Sequence, residues 1–149
     1  MTRTETDSLG SIDIAAEHYW GPQTERARRL FRIGTEHFPP GLIRAVGLQK
    51  QAAALANLAL GELPPELANP IAAAAKDIAD GLLDSEFPLP VWQTGSGTQT
   101  NMNANEVIAN RANLALGKPL GARSPIHPND HVNRGQSSND SFPTMMHIA

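Results

Sequence analysis

Two stretches of the sequence carry the residues whose types and spacing could do chemistry, at 93–103 and 127–140. Both are rich in glycine, hydroxyl and amide side chains and contain few charges. Neutral donors of this kind hold a small anion through hydrogen bonds from hydroxyls, amides and backbone N–H groups. The composition therefore indicates a site for a small polar anion rather than a water-facing coil.

In the first stretch, Ser96 and Thr98 stand shortly before a predicted helix at 103–116. The N-terminus of a helix offers free N–H groups and about half a positive charge, which suits a carboxylate or a phosphate. Gly95 and Gly97 would let the backbone approach such a ligand closely. The alternative interpretation is that these hydroxyl residues only cap the helix, since serine and threonine are good capping residues.

The second stretch repeats this pattern, with Ser137, Ser138 and Asn139 before another predicted helix. Two donor-rich helix starts in one small chain favour ligand binding over capping alone. Common motifs for other chemistries do not fit. The run at 95–100 has no lysine followed by serine or threonine, and no Gly-x-Ser-x-Gly pattern occurs, which argues against a phosphate loop and a serine hydrolase.

Histidines do not form a metal-binding pattern. His127 and His131 are four residues apart, a spacing that pairs metal ligands on a helix. Pro128 follows His127 directly and places it at or before the first helical position, and no third ligand is evident. The sequence therefore predicts no metal site. The other three histidines are isolated and are interpreted as structural or exposed.

Hydrophobic periodicity and proline or glycine punctuation predict the elements that must position these residues. Helices are predicted at 23–32, 42–60, 66–83 and 103–116, with a last helix that begins at 138–140 and continues to 149. Residues 1–20 are predicted to be irregular with short alternating pieces. Residues 117–138 are predicted to form a long loop, a length that is usually functional or disordered. The predicted fold class is mainly α.

The periodicity also names the side chains expected to face the core. In the second predicted helix they are Leu42, Ile43, Val46, Leu48, Ala52, Leu55, Leu58 and Leu60; in the third they are Ile71, Ala74, Ala75, Ile78 and Leu82. Pro70 falls inside the third predicted helix, where it is expected to kink the helix or shift its start.

Composition limits the function classes. The chain has 149 residues, 40% hydrophobic and 18% charged, which is typical of one globular domain. It has no cysteine, so disulfides, thiolate zinc sites and cysteine-ligated iron–sulfur clusters within it are excluded. The formal net charge is −3, and an arginine cluster at 26–32 is interpreted as a partly solvated helix face, so no nucleic-acid partner is predicted. No membrane span or signal sequence is visible, and a cytoplasmic location is expected.

Over essentially its whole length the sequence closely resembles the N-terminal part of class II fumarases, in the fumarase/aspartase superfamily. The resemblance rests on Tyr-Trp-Gly-Pro-Gln-Thr at 19–24, Phe-Pro-Leu-Pro-Val-Trp-Gln-Thr-Gly-Ser-Gly-Thr at 87–98, Asn-Met-Asn-Ala-Asn-Glu-Val-Ile-Ala-Asn-Arg at 101–111, and the whole of 127–140. Gly-Ser-Gly-Thr, His-Pro-Asn-Asp and Gln-Ser-Ser-Asn-Asp, as they stand here, are typical of the fumarase branch.

The resemblance implies two sets of site residues. A substrate carboxylate would be held by Ser96, Gly97 and Thr98, with Ser137, Ser138 and Asn139 completing the pocket. A second dicarboxylate site, near the entrance to the active site, would be formed by His127, Pro128, Asn129 and Asp130. Some family members have an arginine three residues before this histidine; here that position is Ser124, with Arg123 beside it.

The implied activity is the reversible hydration of fumarate to L-malate in the citric acid cycle, without a metal or other cofactor. The implied enzyme is a homotetramer around a long helical bundle. Residues 1–138 would be its N-terminal helical substrate-binding domain, and 139–149 the start of the first long bundle helix, so we expect the chain to be truncated there.

The resemblance also implies what the chain lacks. The family's catalytic serine lies in a Gly-Ser-Ser-x-Met-Pro motif and is assisted by a histidine on another segment; neither segment is found within 1–149. No catalytic residue is therefore predicted in this chain, and the chain alone is predicted to be inactive.

Two alternatives stay open on the residues. The same scaffold could eliminate ammonia from aspartate, although Ser96 and His127 favour the fumarase branch. The chain could instead be a helical interaction module without catalysis, in which case the donor-rich helix starts are ordinary caps.

Overall fold

The computed structural model describes all 149 residues as two strands and five α-helices. The strands are β1 (Thr2–Asp7) and β2 (Gly10–Ala15), and the helices are α1 (Pro22–Leu30), α2 (Pro40–Ala59), α3 (Pro65–Ala79), α4 (Thr98–Ala115) and α5 (Ser138–Ile148). A 3₁₀ turn lies at Asp84–Glu86 and a π-helical turn at Pro128–Val132. The predicted fold class, mainly α with short β pieces at the N-terminus, is confirmed. None of the helices combines the length and hydrophobicity needed to cross a membrane.

The N-terminal residues are more regular than predicted. β1 and β2 pair as an antiparallel hairpin in which Thr2 lies opposite Ala15 and Asp7 opposite Gly10. The alternation in β2 buries Ile12 and leaves Ser11 and Asp13 exposed, as a half-buried strand requires. The short alternating pieces predicted within 1–20 are the strands of this hairpin. Its full extent was not predicted because β1 is almost entirely polar and has no apolar alternation of its own.

Prolines begin three of the helices. Pro22, Pro40 and Pro65 are the first residues of α1, α2 and α3, where the missing N–H has no intrahelical partner to lose. The predicted starts lie one or two residues later. α3 continues through Pro70 without interruption, and it ends at Ala79 rather than at 83.

The main core lies where α2, α3 and α4 pack together, and several predicted core positions are wrong. Ile71, Ile78 and Val107 are fully buried there. In contrast Leu60 is 76% exposed and Leu82 is 70% exposed. Leu48 and Leu55 are exposed as well.

The buried face of α2 is lined by small residues that the leucine pattern does not reveal. A side chain at Gly47 would overlap the backbone of α3, so the two helices approach closely there. Ala45 and Ala54 are also buried. Small residues that allow this close approach, rather than the largest side chains, set the orientation of α2.

α4 is the central helix, and its buried amides fix the surrounding loops. Asn103 donates to the Glu86 carbonyl at 2.9 Å, and Asn110 donates to the Tyr19 carbonyl at 2.7 Å. Asn113 exchanges two hydrogen bonds with the backbone of Ile126, at 2.8 and 3.0 Å. Because buried amides are stable only when they are paired, these contacts hold the loops that carry both polar stretches at defined positions.

Candidate functional site

The first polar stretch is shaped by a left-handed residue at the start of α4. Gly97 has φ +68° and stands immediately before the first helical residue, Thr98. A Cβ at position 97 would overlap the ring of Phe142 in α5, so glycine is needed for both backbone conformation and space. The helix was predicted to start at 103 because the polar run at 98–102 has no apolar periodicity.

The first turn of α4 is only partly satisfied within the chain. The side-chain oxygen of Gln93 accepts hydrogen bonds from the N–H and the hydroxyl of Thr100, at 3.0 and 2.9 Å. The N–H groups of Thr98 and Gln99 have no acceptor in the chain. Neither Ser96 nor Thr98 caps the helix through its side chain, so the capping interpretation of these two residues is wrong.

The two polar stretches meet through a chain of hydroxyl groups. Ser96 Oγ lies 2.9 Å from Thr98 Oγ1, and Thr98 Oγ1 lies 3.1 Å from Ser138 Oγ at the start of α5. Each of these three side chains is half-buried. Because a hydroxyl can donate or accept, the chain of hydroxyls can reorient to present donors to an anion.

The start of α5 is capped by one residue of the second stretch, as the alternative capping interpretation expects for that residue. Ser137 Oγ accepts from the N–H of Asn139 at 3.3 Å, whereas the N–H of Ser138 has no acceptor in the chain. The side chains of Ser137 and Asn139 are exposed and make no hydrogen bond to the first stretch. The structure therefore brings together Ser96, Gly97, Thr98 and Ser138, while Ser137 and Asn139 border this group. We call these six residues the hydroxyl site.

α5 is held in place beside the hydroxyl site by a second hydrophobic cluster. Phe142 and Met145 of α5 pack against Leu42 and Val46 of α2 and against Ala104 of α4. An open groove of about 390 Å³ borders the same region; it is lined by apolar side chains together with Gln93, Thr94 and Gly95.

The His-Pro-Asn-Asp run forms the π-helical turn and not a loop as predicted. His127 precedes the turn, and its Nδ1 accepts from the N–H groups of Asn129 and Asp130, both at 3.3 Å. The Asp130 carboxylate lies 3.2 Å from the same nitrogen. Since Nδ1 accepts two hydrogen bonds, we assign the neutral ring, with its proton on Nε2, and regard the approach of Asp130 as a contact between uncharged and charged groups.

The electrostatics around His127 agree with a neutral ring. Burial lowers the pKa of His127, Asp130 raises it, and the neighbouring Arg123 and His131 lower it. His131 accepts the N–H of His127 at its Nδ1, at 2.8 Å. The Nδ1 atoms of both histidines thus accept backbone hydrogen bonds in and beside the turn. No group of three or more potential metal ligands is present in the chain.

Arg123 reaches the N-terminal hairpin. It is the only non-glycine residue with a positive φ, +52°, and its Nη1 donates to the carbonyl of Thr6 at 3.1 Å. It lies close enough to His127 to affect that pKa.

The largest cleft lies elsewhere and does not offer an anion site. It has a volume of about 520 Å³ and lies between the hairpin and α1. Arg26 and Arg29 line it, but Arg26 is paired with Asp7 and Arg29 with Glu25. The guanidinium of Arg26 holds the pKa of Asp7 below its usual range. The two arginine charges that line this cleft are therefore already paired with carboxylates of the chain.

Two buried ionisable residues were missed by the sequence reasoning. Glu106 of α4 accepts hydrogen bonds from three N–H groups at the start of α1, and Lys50 of α2 donates to two amides of the second stretch. Glu106 lies within the motif at 101–111, but nothing in that motif marks its carboxyl group as buried. Lys50 follows a glutamine and precedes another, with no motif to mark it. Only the tertiary structure shows that both are buried.

Comparison with known proteins supports the resemblance. The protein-family model described as "Lyase" matches residues 10–149. Fumarate hydratase class II 2 of Bradyrhizobium diazoefficiens is 63% identical over 148 residues, 99% of this chain and 31% of that protein. Fumarate hydratase class II of Brucella suis is 61% identical over 148 residues, 99% of this chain and 32% of that protein.

The fold comparison gives the same result. The crystal structure of recombinant class II fumarase from Schistosoma mansoni superposes with a TM-score of 0.93 at 44% identity, covering 98% of this chain and 31% of that one. This chain therefore spans about a third of the length of the relatives it matches. The resemblance predicted from the motifs is confirmed, both for the superfamily and for the N-terminal position of the match.

Proposed function

The chain belongs to the lyase family of its matching model and aligns with the N-terminal third of class II fumarate hydratases, and we propose that it supplies the substrate-binding part of such an enzyme. The reaction would be the reversible addition of water to fumarate, giving L-malate. The observation that carries the proposal is the hydroxyl site. Its hydroxyls meet at two helix starts with N–H groups that have no acceptor in the chain.

The hydroxyl site suits a carboxylate. Thr98 and Ser138 offer hydroxyl donors, and the N–H groups of Thr98, Gln99 and Ser138 add backbone donors at the positive ends of α4 and α5. A dicarboxylate could be held by these groups at one end while the other end stays available for reaction. No lysine or arginine forms an ion pair there, so the binding would depend on oriented neutral donors.

The same donors would assist the chemistry. Removing a proton from the carbon next to a carboxylate places extra negative charge on that carboxylate. Donors that are already oriented stabilise this charge without reorganising during the reaction. Each such donor is worth about 10²–10³ in rate in enzymes where it has been removed. The hydroxyl site would thus contribute both binding and stabilisation of the transition state.

Further parts of the proposal follow from the resemblance. We place a second dicarboxylate site at His127, Pro128, Asn129 and Asp130, with Arg123 close by. We further propose that residues 1–138 act as the substrate-binding domain and 139–149 as the start of the bundle. The active form would be a cytoplasmic homotetramer acting in the citric acid cycle without a cofactor. No Gly-Ser-Ser-x-Met-Pro run occurs within 1–149, and we expect the chain alone to lack hydratase activity.

A chimera tests the proposal directly. This chain would replace the matching part of the Bradyrhizobium diazoefficiens relative, which is 63% identical to it. The chimera and the isolated chain would each be assayed for fumarate formation from L-malate and, in parallel, from L-aspartate. We expect the chimera to form fumarate from L-malate but not from L-aspartate, and the isolated chain to form none from either compound. A folded chimera that forms fumarate from L-aspartate, or from neither compound, would contradict the proposal.

A further inference from the structure

Lys50 has a buried amino group without an anionic partner. It lies in the middle of α2 and is only 1% exposed. Its Nζ donates to Gln136 Oε1 at 2.9 Å and to Asn133 Oδ1 at 3.2 Å, and it takes part in no ion pair. A lysine is rarely fully buried unless it is paired, because removing its charge from water is unfavourable. An apolar side chain would fill the same space without that penalty, so the donor function of Lys50 calls for an explanation.

The two acceptors of Lys50 belong to a network that joins the two polar stretches. Asn133 Oδ1 also accepts from Asn101 Nδ2 at 3.1 Å, and Asn101 lies in the first turn of α4. Asn133 in turn donates to the Gln136 carbonyl at 3.1 Å. Gln136 donates from its amide to the Val132 carbonyl at 2.9 Å. Lys50 thus lies where α2, the first turn of α4 and the turn at 133–136 come together.

This network lies directly beside the hydroxyl site. The turn at 133–136 leads directly into Ser137 and Ser138, and Asn101 follows Thr98 by three residues. Only two side-chain hydrogen bonds connect the first polar stretch to the second. One is the Thr98–Ser138 hydroxyl contact inside the site, and the other is the partly buried Asn101–Asn133 bond that shares its acceptor with Lys50. The Asn101–Asn133 bond therefore adds a polar tie between the two helix starts to the apolar packing of α5.

Acceptors outnumber donors around this network. The side-chain oxygens of Asn101 and Gln49 are buried and have no hydrogen-bond partner even with Lys50 in place. Strong donors are therefore scarce in this region. The ammonium or amine of Lys50 supplies the donors that hold Asn133 and Gln136.

We propose that Lys50 is a positioning residue for the dicarboxylate site: through Asn133 and Gln136 it fixes the start of α5 relative to the start of α4. The proposal rests on the proposed function, because the residues that it positions are those of the hydroxyl site. Lys50 itself would not contact the substrate.

Lys50→Met in the chimera tests this role. Methionine keeps the length and the apolar character of the stem and removes the donors. Small displacements of a binding group reduce rates strongly, so we expect kcat/KM for L-malate to fall about tenfold or more, mainly through KM. The matched control is Ile78→Val, which loosens the core in α3 away from the site and should lower the melting temperature while leaving KM unchanged.

Hydrogen exchange separates positioning from general loss of stability. In Lys50→Met the amides of 133–139 should exchange faster, while the amides of α3 should not change; Ile78→Val should show the reverse. If Lys50→Met fails to fold, Lys50→Gln, which keeps a shorter donor, takes its place in both measurements. If both variants fold, a smaller rise in KM for Lys50→Gln than for Lys50→Met supports the donor role. If only Lys50→Gln folds, a raised KM supports the positioning role and an unchanged KM overturns it.

The possible failures can be told apart. If the parent chimera forms fumarate from L-malate and Lys50→Met has an unchanged KM, the positioning role is wrong and the proposed function stands. The same conclusion follows if Ile78→Val raises KM as much as Lys50→Met does. If the folded parent chimera is inactive, the proposed function is wrong and this role falls with it.

Discussion

The starts of α1 and α4 present the same kinds of hydrogen-bond donors, which are bound by a carboxylate of the chain at α1 and have no carboxylate at α4. At α1 the carboxylate of Glu106 accepts the N–H groups of Gly21, Gln23 and Thr24 at 3.0, 2.8 and 3.0 Å, and the Thr24 hydroxyl at 2.7 Å. The chain thus caps α1 with a carboxylate from another helix. This interaction satisfies the first turn of α1, which has no side-chain cap of its own.

At α4 no carboxylate of the chain occupies the corresponding place. The hydroxyls of Ser96 and Thr98 bond to each other and to Ser138, and the N–H groups of Thr98 and Gln99 have no acceptor. The α1 start shows that a threonine hydroxyl and helix N–H groups together form a good carboxylate site in this protein. This difference is the reason for proposing that a ligand supplies the carboxylate at α4.

Removing Glu106 is expected to have the largest effect on stability, because it takes away the acceptor of the N–H groups at the start of α1. Glu106→Ala leaves three buried N–H groups without an acceptor, and breaking a buried charged network of this kind destabilises a protein by about 3–5 kcal/mol. Urea unfolding of the isolated chain, if it folds cooperatively, or of the chimera measures this loss.

In this variant the start of α1 resembles the start of α4, since its N–H groups have no acceptor within the chain. Formate should then bind in the space vacated by the side chain and raise the melting temperature of Glu106→Ala more than that of the parent. A variant that is as stable as the parent would show that the Glu106 contacts have little energetic value and would weaken the comparison.

Thr98→Val is the next largest expected effect, now at the start of α4. Valine has almost the same shape and lacks the hydroxyl, and loss of one oriented donor should lower kcat/KM for L-malate about 100-fold in the chimera. The matched control is Thr144→Val on α5, where the side chain is exposed and makes no side-chain hydrogen bond; its kinetics should equal those of the parent. Equal activity of Thr98→Val and parent would exclude a role for this hydroxyl.

Gly97→Ala tests whether the geometry at the start of α4 depends on the close approach of α4 and α5. Gly61 has a similar φ, +73°, but a Cβ there would meet nothing within 4 Å, so Gly61→Ala measures backbone strain alone. Gly97→Ala adds an overlap with Phe142 and should cost about 2 kcal/mol more than Gly61→Ala. KM for L-malate should rise in Gly97→Ala and stay unchanged in Gly61→Ala. Thermal unfolding and kinetics of the two variants in the chimera give the answer.

The smallest expected effect is a pH dependence that originates at Lys50. Burial lowers the pKa of Lys50 from its usual value of 10.5 to about 7. Between these values the unfolded chain binds a proton that the folded chain does not, so stability rises with pH through this window. The groups that face Lys50 are the uncharged amides of Asn133 and Gln136.

From pH 7 to pH 8 the free energy of unfolding of the parent should increase by about 1 kcal/mol relative to Lys50→Met. Urea unfolding at the two pH values measures the difference, and the variant cancels the contributions of all other titrating groups. An equal change in parent and variant would mean that Lys50 stays charged in the folded protein.

The sequence was most informative where local chemistry decides the structure. Prolines placed the starts of α1, α2 and α3 within two residues, and the predicted start of the last helix at 138–140 includes the observed first residue of α5, Ser138. The motif resemblance led to the family, which the comparisons confirm. It also named Ser96, Gly97, Thr98 and Ser138, which the structure brings together, although their roles in binding stay predictions.

The features that the sequence did not reveal depend on tertiary contacts. The early start of α4 follows from the left-handed Gly97 packed under Phe142, a contact between residues 45 positions apart in the sequence. Leu60 and Leu82 are exposed because they lie beyond the ends of α2 and α3, where the helical periodicity that assigned them to the core no longer applies. Glu106 and Lys50 carry charges that local patterns assign to the surface, and only the loops that fold over them make them buried.

A crystal structure of the chimera with bound fumarate tests the central claim most directly. The account predicts a carboxylate of fumarate within hydrogen-bonding distance of the Thr98 hydroxyl and of N–H groups at the starts of α4 and α5, with Glu106 still bound to the start of α1. Fumarate bound elsewhere, with the hydroxyl site unchanged and unoccupied at saturating ligand, would contradict the claim that the start of α4 is a carboxylate site.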